Sequence, residues 1–562
     1  MLNGTQILTT AQMRAIESAA MDSGAVTGLE LMERAGAAVV AALLERWPDP
    51  RRAFVLCGPG NNGGDGFVIA RLLKDRGTEV TTLFLGERDR LSPDAAVNHD
   101  RWQQMLGERD LWLPDPAEDT DLTSPDFEIE IGTSTVVVDA ILGTGSNRPL
   151  PSAWASHLLD AVEWGSPVIA VDALSGLDLD SGRFAIDGRE RSQIVATLTV
   201  TFQRAKVGHK LEEGPDRSGE LVVADIGLEQ NVRRYFEGPY LRHEPVPSIR
   251  LTSPALARPL SKSSGHKFDH GHALILAGTT GRGGAARLAT RAALRCGAGL
   301  VTLACPRDAI AENAASLPDA VMLRPLDEPD ELRKLLADKR INAICAGPGL
   351  GVERAAMLLP VLAEDARDPK PVTWVGNQKS IFDLPFRTGR PTVLDADALT
   401  AGAAQGPAFL QGLHVNTILT PHEGEFARVF PDLGARLKQK DPTLSTLEAV
   451  REAADRAKAV ILLKGPTTVI SANARRLRSK PPVEAWINSA AGPDAVPWLA
   501  TAGSGDVLAG IITGLLARGL PPLDAAATGA WLHAAAARRY GPGLIADDLP
   551  DQIPGLFRDL GL

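Results

Sequence analysis

The sequence predicts an α/β protein of two domains, each built on an open, mostly parallel sheet with helices on both faces. Three observations predict it. Short apolar runs alternate with stretches of helical spacing along nearly the whole chain. Glycine-rich segments follow several of those runs directly, where a doubly wound sheet places its ligands. The alternation lapses around residues 230–262, in Glu237-Gly238-Pro239, Pro245 to Pro247 and Ser261 to Ser264, and this divides the chain into residues 1–235 and 245–562.

The 562 residues suit two large α/β domains, and 44% hydrophobic with 23% charged residues is ordinary globular usage, which excludes wholesale disorder. A formal net charge of −10 without a basic stripe argues against nucleic acid as a partner. Cys57, Cys296, Cys305 and Cys345 lie far apart and read as reduced core residues of a cytoplasmic protein. Met1 to Arg14 shows no apolar leader, and apolar runs such as Ala35 to Leu44 fall short of the roughly 20 residues a membrane span needs, so no membrane partner is expected.

In the N-terminal half, Met13, Ile16 and Ala20, then Leu29, Met32, Ala35, Val39 and Leu43, mark two helices that stop at Trp47-Pro48. Ala53 to Cys57 reads as a strand, Gly58 to Gly66 as a loop, the segment with Val68, Ile69, Leu72 and Leu73 as a helix, and Val80 to Leu85 as the strand completing a βαβ unit. Thr135 to Val138, Val168 to Val171 and Thr197 to Thr201 are further buried strands. Asp139 and Asp172 each end such a strand, which places a carboxylate at the crevice, although a lone aspartate there can equally cap the following turn. Lys206 and Lys210, beyond Thr201-Phe202, read as solvated.

Three segments stand out together: Asn61-Asn62-Gly63-Gly64-Asp65-Gly66, Asp139-Ala140-Ile141-Leu142-Gly143-Thr144-Gly145, and Asp172-Ala173-Leu174-Ser175-Gly176 followed by Asp178 to Gly182. In this order they resemble the NAD(P)H-hydrate epimerase family, with Leu174 where the family commonly has proline. The resemblance spans roughly residues 10–230 and implies a Rossmann-like doubly wound domain. It implies a potassium ion (K+) on Asn62, Asp139 and Ser175, and substrate contacts from Asn61, Asn62, Gly63, Gly64 and Asp65 and from Gly143, Thr144, Gly145, Ser146, Asn147, Arg148 and Pro149. Asp172 would be the acid/base. All three metal candidates are hard oxygen donors, as potassium requires.

In the C-terminal half the strands are Ala273 to Ala277, Leu300 to Ala304, Ala343 to Ala346, Thr392 to Leu394, Thr417 to Leu419 and Val460 to Leu463. Residues 367–391 read as a polar insertion without an assigned role, 230–262 as linker, and His266, Asp269, His270 and His272 as a linker-like stretch before the next strand. The most informative segment is Thr501-Ala502-Gly503-Ser504-Gly505-Asp506 before the apolar run Val507 to Ile512. A glycine turn opening a helix points free N–H groups and the positive helix end at one spot, which suits a phosphate, and the adjacent carboxylate can take a proton from a hydroxyl. A tight turn capped by a carboxylate would look the same.

Its companions are Ala277 to Ala285, Gly347-Pro348-Gly349-Leu350-Gly351, Leu394 to Leu399, Leu419 to Glu425, and Leu463-Lys464-Gly465-Pro466-Thr467-Thr468. The ordered set, over most of residues 265–535, resembles ADP- or ATP-dependent NAD(P)H-hydrate dehydratases, of ribokinase-like fold. The resemblance implies nucleotide contacts from Lys464, Gly465, Pro466, Thr467, Thr468 and Gly505, with Ala285, Gly349, His422 and Asp506 facing the substrate, Asp506 as the catalytic base, and Mg2+ arriving with ADP. One departure is Ala491 to Leu499, where the family has a shorter Gly-Asn-Pro-Gly-like approach.

Together the halves imply repair of hydrated NADH and NADPH (NADHX and NADPHX) by a cytoplasmic, homo-oligomeric enzyme, isomerase in one half and lyase in the other. The glycine-aspartate turn also suits a vitamin or sugar kinase fused to a nucleotide-sensing module. The presence of Asp172 beside Asn62 and Asp139 argues against a merely binding N-terminal half.

Overall fold

The computed structural model describes residues 5–106, 111–114, 135–145, 148–188, 193–237, 246, 248–262, 264–366, 389–473 and 483–562. The chain divides into two compact units, Gln6–Val246 with Ala491–Pro493, and Met1–Thr5 with Pro247–Ala490 and Asp494–Leu562.

The first unit opens with helices α1 (Thr10–Asp22) and α2 (Gly28–Arg46), each started by a reciprocal cap: Thr9 with Gln12 and Thr27 with Glu30. There follow β1 (Arg52–Cys57), α3 (Asn61–Lys74), β2 (Glu79–Phe84), α4 (Pro93–Met105), β3 (Leu111–Pro114), β4 (Thr135–Ala140), α5 (Ser152–Glu163), β5 (Val168–Val171), β6 (Leu198–Phe202), β7 (Glu220–Ala224) and α6 (Glu229–Glu237). The strands are all parallel in the order β3-β2-β1-β4-β5-β6-β7. Strand order therefore reverses between β1 and β4, and a crevice opens beyond their carboxyl ends. Apolar clusters cover both faces of the sheet.

Asn61 to Gly66, expected as a loop, form the first turns of α3, capped by Gly60. Tertiary packing overrides the poor helix propensity of glycine: a Cβ on Gly63 would overlap the Gly58 carbonyl, and one on Gly66 would lie 2.8 Å from Cys57 Sγ and from Ala140 Cβ. Glycine lets α3 sit directly on β1 and β4. Residues 230–262, expected as linker, hold most of α6, with Val232 and Phe236 buried, strand β8 (Ser248–Leu251) and a 3-10 turn over Pro254–Leu260.

The second unit continues with β9 (His272–Leu276), α7 (Gly284–Arg295), β10 (Leu300–Cys305), β11 (Val321–Pro325), β12 (Ala343–Ala346), α8 (Val352–Asp365), β13 (Thr392–Leu394), α9 (Ala396–Ala404), β14 (Thr417–Leu419), α10 (Glu423–Val429), β15 (Val460–Leu463), β16 (Thr467–Ser471), β17 (Val483–Ser489), α11 (Ser504–Ala517) and α12 (Pro522–Tyr540). These strands lie in the order β8-β17-β16-β15-β14-β13-β12-β9-β10-β11, antiparallel at β15/β16 and β16/β17 and parallel elsewhere. Order reverses between β12 and β9, giving this sheet its own crevice. The apolar helix α11 is buried from Val507 to Ala517. It lies close against α7, since a Cβ on Gly510 would overlap the Ala289 carbonyl and one on Gly514 would come within 2.7 Å of the Ala293 carbonyl. All four cysteines are buried and unpaired. Most of the 367–391 insertion lies outside the described residues.

Candidate active sites

Asp172 follows β5 with φ of +63°, a left-handed conformation that aspartate tolerates at a modest cost. Its N–H donates to Val200 O at 2.9 Å. Both carboxylate oxygens are held. Thr201 Oγ1 (2.8 Å) and Lys206 Nζ (2.6 Å) donate to Oδ1, while the Thr144 N–H (2.9 Å) and its hydroxyl donate to Oδ2. Burial raises the carboxyl, but the Lys206 charge, its hydrogen bond and that of Thr144 outweigh this and hold Asp172 well below the usual carboxylate range. The group is ionised at neutral pH.

Lys206, expected to be solvated, is 1% exposed. Its ammonium also donates to Thr201 Oγ1 at 2.8 Å and Phe202 O at 3.2 Å, so every donor has an acceptor and the buried charge is compensated. His209 joins the group: its Nδ1 accepts the Lys206 N–H at 3.0 Å, and so its Nε2 carries the proton donated to Asp172 O at 2.9 Å. Burial and the Lys206 charge push the imidazole down to about 4, which keeps it neutral.

A second cluster lies at the β1/β4 switch. Asp139 accepts from Ser175 N (2.7 Å), Ser175 Oγ (2.6 Å) and Ile141 N (3.2 Å), and Ser175 Oγ accepts the Leu142 N–H at 2.8 Å. Burial pushes the Asp139 carboxyl up to about 6 against those hydrogen bonds, and no cationic side chain offsets its charge among the described residues. Asn62 Nδ2 is buried without a partner, and its Oδ1 is 2.6 Å from where a Cβ on Gly143 would stand. A buried carboxylate lacking a positive partner, surrounded by hydroxyl and amide oxygens, fits a weakly held monovalent cation.

Among the other candidates, Asn61 Oδ1 accepts from Ser92 Oγ at 2.5 Å. Gly64 faces Met32 and Ala95 between α2 and α4. Asp65 is buried, and burial, then the charges of Asp172 and Glu17, push its carboxyl well up. Arg148 and Pro149 are exposed; Ser146 and Asn147 lie outside the described residues.

In the second unit Gly503 caps α11 with φ of +89°, and Asp506 stands in the first turn. Lys464 follows β15 and pairs across a single bridge with His422. Its Nζ lies 2.8 Å from Asp395 Oδ1, 3.9 Å from Glu425 Oε2 and 3.3 Å from where a Cβ on Gly505 would be, so the ammonium faces the opening turn of α11. Burial raises the Asp506 carboxyl, Asp395 raises it further against Lys464, and Asp397 and Glu425 add to the effect; it reaches about 7. That is the value suited to a general base at neutral pH.

At the β12/β9 switch, a Cβ on Gly349 would lie 3.2 Å from Ala285 Cβ, so these two expected residues meet. Asp397 accepts the Gly351 N–H at 2.8 Å. His422 caps α10, exposed, with its backbone N–H on Glu425 Oε2 at 2.9 Å. Gly465 and Pro466 turn the chain from Lys464 into β16, where Thr468 Oγ1 donates to Gly465 O at 3.3 Å. Thr467 Oγ1 is buried without a protein partner. Residue patterns alone did not single out Lys206, Thr201, His209 or Glu425 as functional. The signal available for Lys206 was its place a few residues beyond a buried strand neighbouring the one that Asp172 ends.

Residues 273–553 match the family model described as NAD(P)H-hydrate dehydratase, and residues 28–208 that described as YjeF-related protein N-terminus. A bifunctional NAD(P)H-hydrate repair enzyme from Moorella thermoacetica is 35% identical, covering 99% of this chain and 97% of its own. An NAD(P)H-hydrate epimerase from Rhodobacter capsulatus is 46% identical over 40% of this chain and 100% of its own. The crystal structure of an ADP/ATP-dependent NAD(P)H-hydrate dehydratase from Bacillus subtilis, co-crystallised with ATP and Mg2+, aligns at a TM-score of 0.39 with 26% identity, over 53% of this chain and 93% of its own.

Proposed function

The chain belongs to the bifunctional NAD(P)H-hydrate repair enzyme family, and on that premise we propose that it returns hydrated NADH and NADPH to the usable cofactors. Residues 1–235 interconvert the R and S epimers, and residues 245–562 dehydrate the S form with ADP, releasing AMP and phosphate. The observation that carries this reading is a contrast between two carboxylates. Asp172 is kept ionised by Lys206, whereas Asp506 sits near 7 at a helix N-terminus suited to phosphate.

Water adds across the ring double bond so that the hydroxyl sits on the carbon beside the ring nitrogen. In the dehydratase, Asp506 takes the hydroxyl proton and the oxygen attacks the terminal phosphoryl group of ADP, with AMP leaving. The nitrogen lone pair then expels phosphate, and loss of a proton from the neighbouring carbon restores the double bond. Lys464 faces the α11 turn where the phosphates would lie, and the Thr467 hydroxyl offers an unused donor. Mg2+ would arrive with ADP to neutralise phosphate charge, and the carboxylates of Asp395, Asp397 and Glu425 are the oxygen donors it favours.

In the epimerase, Asp172 exchanges a proton with the same hydroxyl while Thr144 and Thr201 fix its carboxylate plane. Asn62, Asp139 and Ser175 would hold K+, which supplies the positive charge the Asp139 pocket lacks. The buried, unpaired thiols suit the reducing cytoplasm. The test is to supply the R hydrate without nucleotide, then the S hydrate with ADP and Mg2+. S hydrate should form in the first reaction, and NADH with AMP in the second; a stable phosphorylated product instead of NADH would favour a kinase.

A further inference from the structure

Epimerisation at a carbon bearing both hydroxyl and ring nitrogen needs one group to accept a proton and another to give one. The reading above, on which this inference rests, assigns one such group, Asp172, at the hydroxyl. Helix α1 brings a second carboxylate, Glu17, within electrostatic reach of Asp172 and Lys206. Just before α1, Leu8 pairs with the Lys206 segment: its N–H donates to Ala205 O at 3.0 Å and its carbonyl accepts the Val207 N–H at 2.9 Å. The Thr10 N–H donates to Asp180 Oδ1 at 2.8 Å, tying the helix start to the loop beyond Asp172. Met13, Ile16 and Ala20 are buried in the core, and Arg14 and Glu17 stand one turn apart beside that stripe.

Arg14 shows where this part of α1 lies. A Cβ on Gly145, whose φ is +116°, would overlap the Arg14 guanidinium. Gly145 follows Thr144, which donates twice to Asp172. We propose that Glu17 is the second proton-transfer group of the epimerase, the acid to the base of Asp172, presented by α1 beside the Thr144–Gly145 turn.

Four charged groups act on or with Glu17: Arg14 on its own helix, Asp172 after β5, Lys206 after β6, and Asp65 on α3. Half-buried, the Glu17 carboxyl is pushed up to about 7, by burial first and by the Asp172 charge, against Lys206 and Arg14. Neighbouring carboxyls whose environments drive them apart divide into an acid and a base. In the forward half-reaction Asp172 takes the hydroxyl proton as the C–O bond becomes C=O and the C–N bond breaks. The C–N electron pair goes to the ring nitrogen, which takes the proton of Glu17. The freed aldehyde rotates, nitrogen attacks its other face, and both protons return to their donors. No co-reactant is consumed.

The experiment measures R-to-S epimerisation by the full chain against pH, with thermal unfolding of the same samples as the control for folding and dehydratase turnover as the control for active protein concentration. Wild-type kcat/KM should fall as pH rises through about 7, because Glu17 loses the proton it must give. Glu17→Gln should lower kcat by about 10²- to 10³-fold with little change in KM, abolish that alkaline limb, and leave dehydration untouched. A wild-type profile flat through pH 8, or Glu17→Gln turnover within about threefold of wild type, overturns the assignment. Asp172→Asn distinguishes the failures: loss there with retention in Glu17→Gln refutes Glu17 alone, whereas retention in both refutes the epimerase reading.

Discussion

Replacing Lys206 by methionine keeps the buried stem of the side chain and deletes the ammonium 2.6 Å from Asp172 Oδ1. At an effective dielectric of about 20, unit charges at that separation attract by about 6 kcal/mol. Breaking a buried pair by removing one partner costs about 3–5 kcal/mol, since the remaining charge is uncompensated. The pH dependence identifies the cause. In the native chain Asp172 is depressed, so its stabilisation is present above the ordinary carboxyl value of about 3.9 and is lost only as pH falls through the lower folded value. Without Lys206, burial dominates and the folded value rises above the unfolded one. The Lys206→Met deficit should then be largest at neutral pH and shrink as pH falls through that raised value toward 4. Thermal unfolding of both proteins between pH 4 and 8 measures it, and the acid limb of epimerase kcat/KM should move upward in parallel. An equal deficit at every pH with an unmoved acid limb would refute the argument and leave Lys206 as packing.

Asp506→Asn should lower dehydratase kcat by about 10²- to 10⁴-fold while ADP affinity by calorimetry stays within about threefold, because the proton acceptor goes and the α11 turn stays. Since Asp506 must be ionised to act and stands near 7, wild-type dehydratase kcat/KM should rise with pH through about 7. Asp139→Ala should abolish the potassium dependence of epimerisation and raise KM, with dehydration unchanged. In wild type, withdrawing potassium should expose an acid limb near 6, as Asp139 gains its proton.

The strands that carry the two crevices were legible because each is buried on both faces and reads as an unbroken apolar run, as β1, β4, β5 and β12 do. Asp139 and Asp172 were legible as aspartates closing such runs. The edge strands β7 and β11 were not, since their half-exposed residues leave no run to see. Strand β16 follows the Gly465-Pro466 turn and pairs antiparallel with both β15 and β17, outside the β-α alternation. Lys206 was misread because what buries it is remote in sequence: the Asp172 carboxylate, 34 residues before it, and the backbone of Leu8. Asn61 to Gly66 looked like a loop because glycine is a poor helix former. Only the contacts with Gly58, Cys57 and Ala140 show why helix is required there.

If two sites in one chain act in sequence on one substrate, the most direct measurement follows a freshly prepared mixture of R and S hydrates in excess ADP and Mg2+, with a blank lacking protein to subtract spontaneous epimerisation. The wild-type chain should convert both epimers to NADH with one AMP and one phosphate per cofactor. Asp172→Asn should stop once the S fraction is consumed, leaving the R hydrate and an equally stoichiometric yield of AMP. Complete conversion by Asp172→Asn at the wild-type rate, or NADH formation without AMP, would contradict the account.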